Sequence, residues 1–468
     1  MCAKSSNSLQ RAAIPAVWGE EKLSERRSRA NCKALETKVW CVVQKSVEPV
    51  KIEDNKVPAV VLVSSQHGGV GIIRSLGRAG VPVYGVHQDR WEPAARSRYL
   101  RGTFPWDFST AQAPKSVEFL LETARQFGQR PVLIATSDIT AVFLADNAEV
   151  LANHYLFATP SAQVVRTFAS KKETADLCRR LGIPTPETAM PACRDDLLSF
   201  ARATRYPVIV KGESGDFLQH SNHRTRVAIV SSQQELLDIY DLNAANKPPS
   251  LIVQEYIPGG DDTIWMFNGY FNRRSECVFG AAGRKLRQFP VHRGHTTLGV
   301  CESNDTVAEQ TIQLMQAVGY QGPLDIGYRF DARDGKYKLL DVNPRIGATF
   351  RLFAAENGLD VARAIYLDVT GQDIPPAQVC PGRKWIVESN DLVSTVNYLR
   401  ERQLTVRGWL SSLRGVQEGV WLSLDDMAPL ATLPFLWLRK HFRKAPTAVQ
   451  FGENAVECAP VTPGDRVA

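Results

Sequence analysis

Residues 336–345, with the sequence KYKLLDVNPR, decide the fold because they predict a short buried strand that ends in polar side chains. Alternate side chains of an extended chain point the same way, so Asp341, Asn343 and Arg345 converge on one place. Pro344 cannot donate a ladder hydrogen bond, which predicts that the strand stops there. The pattern indicates a site that combines a carboxylate, an amide and a guanidinium, although a solvated turn at a strand end is the simpler alternative.

A second apolar segment, GPLDIGYRFD at residues 322–331, carries Asp325 sixteen residues before Asp341. Gly335 predicts a turn between the two segments, so they should pair as a hairpin with Asp325 facing Asp341 and Asn343. Two carboxylates and an amide oxygen are hard ligands that suit Mg²⁺ carrying a nucleotide polyphosphate. Arg345 would then meet a phosphate or carboxylate oxygen.

Length and composition indicate a globular chain of several domains. It has 468 residues, 44% apolar and 22% charged, without the 18 consecutive apolar residues of a spanning helix or the apolar core of a signal peptide. Nine scattered cysteines without CxxC spacing predict reduced thiols in a cytoplasmic protein and argue against zinc. The net charge of +7 suits an anionic substrate and does not favour nucleic acid.

Residues 57–165 predict a β-α-β unit of the nucleotide-binding type. The strand PAVVLVSS is followed by QHGGVG and a helix, which puts Gly68 and Gly69 at the carboxyl end of a strand, where open α/β sheets bind ligands. Anion binding by this loop and an ordinary tight turn are both open interpretations. Asp138 follows a later strand, where it either faces the same crevice or, as we favour, caps a helix.

The next segment combines a capped helix with a strand that ends in a lysine. Ser170 and Gly182 predict the two ends of a helix that begins with Lys171 and Lys172. The following strand delivers Lys211 to a polar loop at residues 212–226, where the ammonium can bind phosphate and the loop can close as a lid.

The motifs SKK, VIVKG, VQEYIPGGDD, LDIGYRFD and LLDVNPR follow one another over residues 57 to about 375. In this order and spacing the chain resembles the ATP-grasp superfamily, and within it the carboxylate–amine ligases, including D-aspartate ligase-like enzymes. The resemblance implies an α/β protein, with α+β character in the grasp domains. A Rossmann-like pre-ATP-grasp domain would precede a two-part ATP-grasp fold and a helical C-terminal appendage.

We therefore expect five regions along the chain. They are a partly disordered extension at 1–56 with one strand near 38–47, a pre-ATP-grasp domain at 57–165, a small ATP-grasp subdomain at 166–255, a large subdomain with the metal site at 256–375, and the helical appendage and tail at 376–468.

The resemblance assigns nucleotide-binding roles by position. Lys171 and Lys211 resemble the lysines that hold ATP phosphates, whereas Lys172 is expected on a solvated helix face. Residues 254–257 resemble the hinge, where backbone groups of two residues read adenine, and an acid after it binds ribose. The hinge residues are Gln254, Glu255, Tyr256 and Ile257, with Glu255 and Ile257 as the adenine readers and Asp262, in preference to Asp261, as the ribose ligand.

The resemblance assigns Asp325, Asp341 and Asn343 to Mg²⁺, with Mn²⁺ as an alternative, and makes Arg345 the phosphate or acyl-phosphate clamp. Asp341 departs from the family, which usually has Glu there, and this leaves one or two metal ions open.

Pro323 is a second departure, because some relatives have Arg at that position. Charge in the transition state must then be met by other groups. The candidates for this catalytic role are Arg345, Arg284 and Arg287.

The basic segment at residues 283–303 is the expected substrate region, with a solvated basic strand pair as the alternative. It resembles the Arg-Gln-x-Pro stretch of carboxylate–amine ligases. His292, Arg293 and His295 are the substrate candidates there, together with Gly68 and Gly69. A base for the amine would be His292, His295 or the substrate itself.

The C-terminal region has one amphipathic stretch, residues 428–444, that joins an apolar run to a basic tail. It is too short to span a bilayer, and it predicts either peripheral contact with the inner membrane face or a partner, or docking on the body of the protein. The last 20 residues are expected to be disordered. The resemblance implies a possible homodimer.

The expected reaction is ATP-dependent formation of an amide or peptide bond through an acyl phosphate, with release of ADP. The chain has no Ser-His-Asp or Cys-His arrangement for covalent catalysis. Two alternatives stay open. One is carboxylation with bicarbonate, and the other is a non-catalytic nucleotide-binding protein.

Overall fold

The structure is a computed structural model that describes residues 49–63, 67–89, 91–212, 218–220, 223–225, 227–244, 251–292 and 294–442. The strand expected near residues 38–47, the substrate candidate Arg293 and the last 20 residues lie outside the described residues, as does part of the expected lid. Residues 49–56 are described and pack on the body, since Val50 and Ile52 are buried in its core.

The first sheet is parallel throughout and has the strand order β3-β2-β1-β4. Strands β1 and β4 have side chains buried on both faces, as expected for a sheet covered by helices on each side, whereas β3 alternates between half-buried and exposed residues. The predicted β-α-β unit is therefore confirmed. The elements are β1 (Ala59–Leu62), α1 (His67–Arg78), β2 (Val83–His87), β3 (Leu100–Pro105), α2 (Ala113–Arg125), β4 (Val132–Ala135), α3 (Asp138–Asp146) and α4 (Ala148–Leu151).

The glycines after β1 are part of α1 and do not form the loop that the sequence predicted. A Cβ on Gly68 would lie 3.3 Å from Ala348 Cα, so this glycine lets the first turn of α1 approach the segment that follows the hairpin. Residues 64–66, which connect β1 to α1, lie outside the described residues, so anion binding by Gly68 and Gly69 stays a prediction.

The second sheet has the order β5-β10-β6-β9 and is antiparallel. Ser170 caps α6 by accepting from the Glu173 N–H, and Gly182 ends it at φ +70°, as predicted. The elements are α5 (Ala162–Ala169), α6 (Lys171–Leu181), β5 (Thr188–Ala189), α7 (Arg194–Ala203), β6 (Val208–Gly212), β9 (Val227–Val230), α8 (Gln233–Asn243) and β10 (Leu251–Glu255), with β7 (Leu218–His220) and β8 (His223–Thr225) paired as a small hairpin within the expected lid.

The third sheet has seven strands in the order β15-β14-β11-β12-β13-β16-β17. The predicted hairpin of β14 and β15 is confirmed, with Asp325 opposite Asn343. The elements are β11 (Ile264–Phe271), β12 (Cys277–Phe289), β13 (His295–Cys301), α9 (Asp305–Ala317), β14 (Gly322–Asp331), β15 (Lys336–Asn343), α10 (Val361–Val369), β16 (Lys384–Ile386), α11 (Glu388–Arg400), α12 (Val406–Ser412), β17 (Val416–Gly419) and α13 (Ala428–Phe442).

The C-terminal region is not wholly helical, which corrects the expectation for residues 376–468. Strand β16 pairs with β13 and extends the third sheet, and β17 then pairs with β16. Strands of three and four residues are too short to give a periodic pattern, and here they form because β13 offers an unpaired edge. Trp385 in β16 is 2% exposed, so the region contributes to the core.

Helix α13 lies against the loop that follows β2. Arg439 Nη1 bonds Asp89 Oδ2 at 2.6 Å, and the Phe435 and Trp91 rings lie 5.2 Å apart. This packing is the docking alternative for residues 428–444 and gives no support to the predicted membrane contact. In the part of the chain that the structure describes, no helix has both the length and the apolar character to cross a bilayer.

One hydrophobic core joins the first and third sheets. Val61 of β1 and Phe279 of β12 belong to the same buried cluster, together with Trp421 from the C-terminal region. The second sheet has a core of its own, which includes Val210 and Leu236. The mixed α/β class is confirmed. The five-region division remains a prediction.

Candidate active site

A row of polar residues crosses three neighbouring strands of the third sheet. Asn268 of β11 lies opposite Asp325 of β14, and Asp325 lies opposite Asn343 of β15. Asp341 is two residues before Asn343 and lies opposite Gly327. The two strands of the predicted hairpin thus bring Asp325, Asp341 and Asn343 together, and a third strand adds Asn268.

Hydrogen bonds leave oxygen atoms of this row available. Asn268 Nδ2 donates to Asp325 Oδ1 at 3.0 Å, and Asn343 Nδ2 donates to Asp341 Oδ2 at 3.0 Å. Asn268 is fully buried, and its Oδ1 has no hydrogen-bond partner among the described residues. A Cβ on Gly347 would lie 2.5 Å from that same oxygen, so the glycine keeps the space beside it open.

The oxygen atoms of this row fit a hard divalent cation. Mg²⁺ prefers carboxylate and carbonyl oxygens, and Asp325, Asp341 and Asn343 supply them beside the unpartnered Asn268 Oδ1. Within the described ranges, no group of three or more His, Cys, Asp or Glu residues is arranged to hold a metal ion. A site here would therefore depend on amide as well as carboxylate oxygens.

Three cations surround the two carboxylates. Arg345 Nη1 donates to Asp325 Oδ2 at 3.3 Å, and Lys171 and Lys285 act electrostatically on Asp341. Burial raises the pKa of Asp325 above its usual range, because Arg345 only partly offsets it. Burial also acts to raise the pKa of Asp341, but Lys171, Asn343 and Lys285 outweigh it and the pKa is lowered.

Strand β12 presents its basic residues in three different ways. Arg284 is paired with Glu302 through two bonds of 2.9 Å. Lys285 donates to the Gly294 carbonyl at 3.0 Å and lies in electrostatic range of Asp341 and Asp325. An irregular register between residues 285 and 288 breaks the alternation of side chains beyond Lys285.

Arg287 lies beyond that irregularity and faces the C-terminal region. It forms two bonds to Asp391, at 2.8 and 2.7 Å, and its side chain is 5% exposed. This position makes Arg287 an anchor for α11. The catalytic role predicted for Arg284 and Arg287 stays a prediction, and the geometry favours Lys285 over both.

Three histidines, His292, His295 and His67, differ in their surroundings. His292 bonds Glu401 at 2.7 Å, so it is engaged with the end of α11. Burial and then Lys285 lower the pKa of His295, while burial and then His295 lower the pKa of His67 to about 4. Both shifts of pKa disfavour the protonated imidazole, and His67 is a residue that sequence reasoning did not select.

The predicted phosphate lysines occupy different elements. Lys171 starts α6, and its charge reaches Asp341, whereas Lys172 is exposed as expected. Lys211 lies within β6, where it pairs with Ile252 and Val227. The two lysines thus lie on a helix and on a strand, and the charge of Lys171 acts on Asp341.

The predicted hinge residues lie between the second and third sheets. The Glu255 N–H donates to the Glu187 carbonyl at 2.8 Å, so in this state that N–H is already engaged. Gln254 bonds Thr188 at 2.9 Å, and the Tyr256 ring lies 5.9 Å below the Arg329 guanidinium. Ile257 is buried.

The Glu255 side chain is buried in a network of charges. Lys338 Nζ bonds both of its oxygens at 3.0 Å, and Arg333 bonds it at 2.6 Å. Asp331 pairs with the same lysine and arginine, at 2.8 and 2.7 Å. This network fastens the hinge to the far end of the hairpin and was not predicted.

Asp261 and Asp262 differ in their contacts. Asp261 Oδ1 accepts from Gln288 at 2.7 Å, and its Oδ2 accepts from the Tyr398 hydroxyl of α11. The Asp262 carboxylate has no hydrogen bond in the part of the chain described here, and it folds back towards Gly260. Asp262 is thus the acid left available for a ligand, which agrees with the preference stated for ribose.

Two groups of this site, Asn268 and Lys285, escaped sequence reasoning. Asn268 is a single amide in the otherwise apolar and aromatic segment WMFNGYF, which is the one signal that could have indicated it. Lys285 is one of several basic residues in its segment, and only the strand register separates it from its neighbours.

Comparisons with known proteins agree with this architecture, although no protein-family model matches the chain. A D-aspartate ligase of Enterococcus faecium is 22% identical over 66% of this chain and 76% of its own length. A biotin carboxylase of Pseudomonas aeruginosa is 22% identical over 53% of this chain and 58% of its own length.

Solved structures share the fold. N5-carboxyaminoimidazole synthetase from Staphylococcus aureus superposes with a TM-score of 0.53 at 12% identity, over 71% of this chain and 81% of its own. The biotin carboxylase domain of a Hydrogenobacter thermophilus 2-oxoglutarate carboxylase, solved as a dimer with MgADP, ADP and bicarbonate, has a TM-score of 0.53 at 12% identity, over 70% and 73% of the two chains.

These relatives and neighbours are ATP-grasp enzymes, and the chain is similar to them in sequence and in fold. The resemblance to this superfamily that the motif order predicted is confirmed.

Proposed function

We propose that the protein is an ATP- and Mg²⁺-dependent ligase that activates a carboxylate as an acyl phosphate, releases ADP and joins the acyl group to an amine. The observation that carries this proposal is the row of Asn268, Asp325 and Asn343, with Asp341 beside it and three cations around it. The D-aspartate ligase relative supports the choice of reaction.

The chemistry needs positive charge more than proton transfer, because its first step joins a carboxylate to a polyphosphate. Bound Mg²⁺ would neutralise phosphate charge as a Lewis acid, held by Asp325, Asp341 and Asn343. Lys171, Lys285 and Arg345 would orient the phosphate and carboxylate oxygens. Their ammonium and guanidinium groups already stand around the two acids before any ligand binds.

The nucleotide is proposed to lie between the second and third sheets. Lys171 and Lys211 would hold its phosphates, the Glu255 carbonyl and Ile257 N–H would read adenine, and Asp262 would bind ribose. The segment of β7 and β8 would close over the acyl phosphate and exclude water.

In the second step the amine nitrogen attacks the acyl carbon, and the C–O bond to phosphate breaks. The nitrogen loses two protons in all, and the phosphate that leaves takes one of them while solvent takes the other. His295 lies in electrostatic range of Lys285 and is the proposed proton carrier.

The test is ADP release by the full-length protein with ATP and Mg²⁺, across a panel of amino acids and small carboxylates. We expect release only when an acid and an amine are both present, with a product whose mass equals their sum less water. Turnover that needs neither acid nor amine would contradict the proposal.

A bicarbonate-dependent carboxylase is the second candidate, favoured by the biotin carboxylase relative and by the neighbour solved with bicarbonate. ADP release that requires bicarbonate and a single acceptor would select it. Tight ATP binding with no turnover across the panel would instead select a nucleotide-binding protein. The predicted homodimer is also proposed here, and sedimentation equilibrium of the full-length chain would test it.

A further inference from the structure

Asp138 is placed where the first domain meets the candidate site. It is the first residue of α3 and follows β4 directly. Ser137 is the helix cap, since its hydroxyl accepts from the Thr140 N–H at 3.3 Å, so Asp138 does not have the capping role that the sequence favoured. Its side chain is 55% exposed.

Asp138 shares Arg345 with the acids of the third sheet. Arg345 Nε donates to Asp138 Oδ1 at 2.8 Å, and Arg345 Nη1 donates to Asp325 Oδ2 at 3.3 Å. The Arg345 side chain is only 17% exposed, so the pair lies at the edge of a largely enclosed site. Asp138 Oδ2 has no hydrogen bond to any described residue, which leaves one charged oxygen for a ligand.

The topology of the first sheet places Asp138 directly after the carboxyl end of β4, beside a reversal of the strand order. The chain runs from β1 to β2 and β3 on one side and returns to β4 on the other side of β1. Open α/β sheets bind ligands outside the carboxyl ends of their strands at such a reversal. A small cavity is lined by Ala135 at the end of β4, by Pro344 and by Arg345, and Asp138 is not among its lining residues.

We propose that Asp138 binds the ammonium group of the amine substrate and so determines that the acceptor is a primary amine that is protonated in solution. This inference rests on the proposed ligase function. Arg345 is the proposed ligand of the acyl phosphate, and Asp138 is bonded to Arg345. An ammonium bound to Asp138 Oδ2 would therefore lie close to the acyl phosphate. Asp138 orients the amine, and the nitrogen gives up its proton to solvent before the C–N bond forms.

The alternative is that Asp138 only holds Arg345 in position. The two roles can be distinguished with an amine that carries no charge, because only a charged amine needs Asp138 as a binding partner. Hydroxylamine is largely uncharged at pH 7 and traps acyl phosphates as hydroxamates, so it needs Arg345 in place but has no ammonium for Asp138 to bind.

The experiment compares the full-length wild type with Asp138→Asn, which keeps the size of the side chain and an oxygen for Arg345. Both proteins receive ATP, Mg²⁺ and the carboxylate found in the panel. We expect kcat/KM for the ammonium-bearing amine that the wild type uses to fall about thirtyfold, as for a lost hydrogen bond between charged groups. With hydroxylamine as the amine, hydroxamate formation and the ADP release that accompanies it should change less than about threefold.

Asp146→Asn is the matched control. Asp146 ends the same helix and pairs with Arg166 at 2.5 Å, away from the site, so neither amine should be affected. An equal fall with both amines would show that Asp138 acts only through Arg345, and no fall with either would also overturn the inference. Failure of the wild type to ligate any amine would count against the proposed function, and not against Asp138 alone.

Discussion

The hairpin of β14 and β15 carries charged residues at both ends, and the two ends differ in how far their charges are matched. At the turn end, Asp331 and Glu255 are bonded to Lys338 and Arg333. The other end, the open end, lies about 20 Å away along the strand. There the cations only partly match the charges of Asp325 and Asp341.

The two ends of the hairpin therefore suit different tasks: the turn end stabilises the fold, and the open end is suited to binding a ligand. Buried charges that are fully paired hold elements together, because removing one partner leaves an uncompensated charge. At the open end, the buried Asn268 Oδ1 has no hydrogen-bond partner among the described residues. The two carboxylates there have pKa values shifted in opposite directions, with that of Asp325 raised and that of Asp341 lowered. Such an arrangement is costly for a protein alone and becomes favourable when a cation and an anion bind.

The largest effect is expected from Asp341→Asn at the open end. This change removes one anionic oxygen and keeps the side-chain shape, so kcat for ADP release should fall about a thousandfold with little loss of stability. Asp373→Asn, an exposed acid with no hydrogen bond among the described residues, is the control and should be neutral. Full activity of Asp341→Asn would show that the open end of the hairpin is not a binding site that differs from the turn end.

Lys338→Met tests the turn end. It leaves Glu255 and Asp331 buried with only Arg333, so the free energy of unfolding should fall by about 3 kcal/mol in urea titrations. Lys336→Met changes an exposed residue of the same strand and should cost less than about 0.5 kcal/mol. Equal losses for the two variants would show that the network does not fasten the hinge.

Lys285→Met sharpens the comparison at the open end. Lys285 acts on the acids, so its loss should slow carboxylate-dependent ADP release about a hundredfold. Arg284→Met removes a half-buried partner of Glu302 and should change the rate less than about threefold. A larger effect at Arg284 would instead support its predicted catalytic role, one of the three that the sequence suggested.

The smallest effect is a pH dependence at the turn end. Hydrogen bonds from Arg333, and after them Lys338, hold the pKa of Asp331 well below its usual range despite burial. Its stabilisation is therefore fully present above the unfolded pKa of about 4 and is lost as the pH falls from there through the lower folded pKa. The difference in unfolding free energy between wild type and Asp331→Asn should be constant from about pH 7 to 5 and shrink below about pH 4. A difference that grows on acidification would be the contrary result.

Local patterns in the sequence predicted the main features of the site. The hairpin could be predicted because a turn glycine separates two apolar segments, and the period of two in a strand then put Asp341 and Asn343 on one side. The caps Ser170 and Gly182 likewise bounded α6, because capping depends on neighbouring residues only.

Other features could not be predicted because they depend on contacts between distant segments. The place of Asn268 next to Asp325 is set by the pairing of β11 with β14, 57 residues apart. The register irregularity in β12 selects Lys285 and turns Arg287 towards α11. The short strand β16 exists only because β13 has a free edge.

The sequence by itself determined the fold class, the superfamily and the hairpin with its two acids, since these follow from periodicity, turn residues and the order of motifs. The tertiary structure alone decided which cation faces the acids, that Asp138 meets Arg345, and that the C-terminal region completes the third sheet. The physical reason is that side-chain direction in a strand is fixed by local geometry, whereas its neighbours are fixed by the register and packing of remote segments.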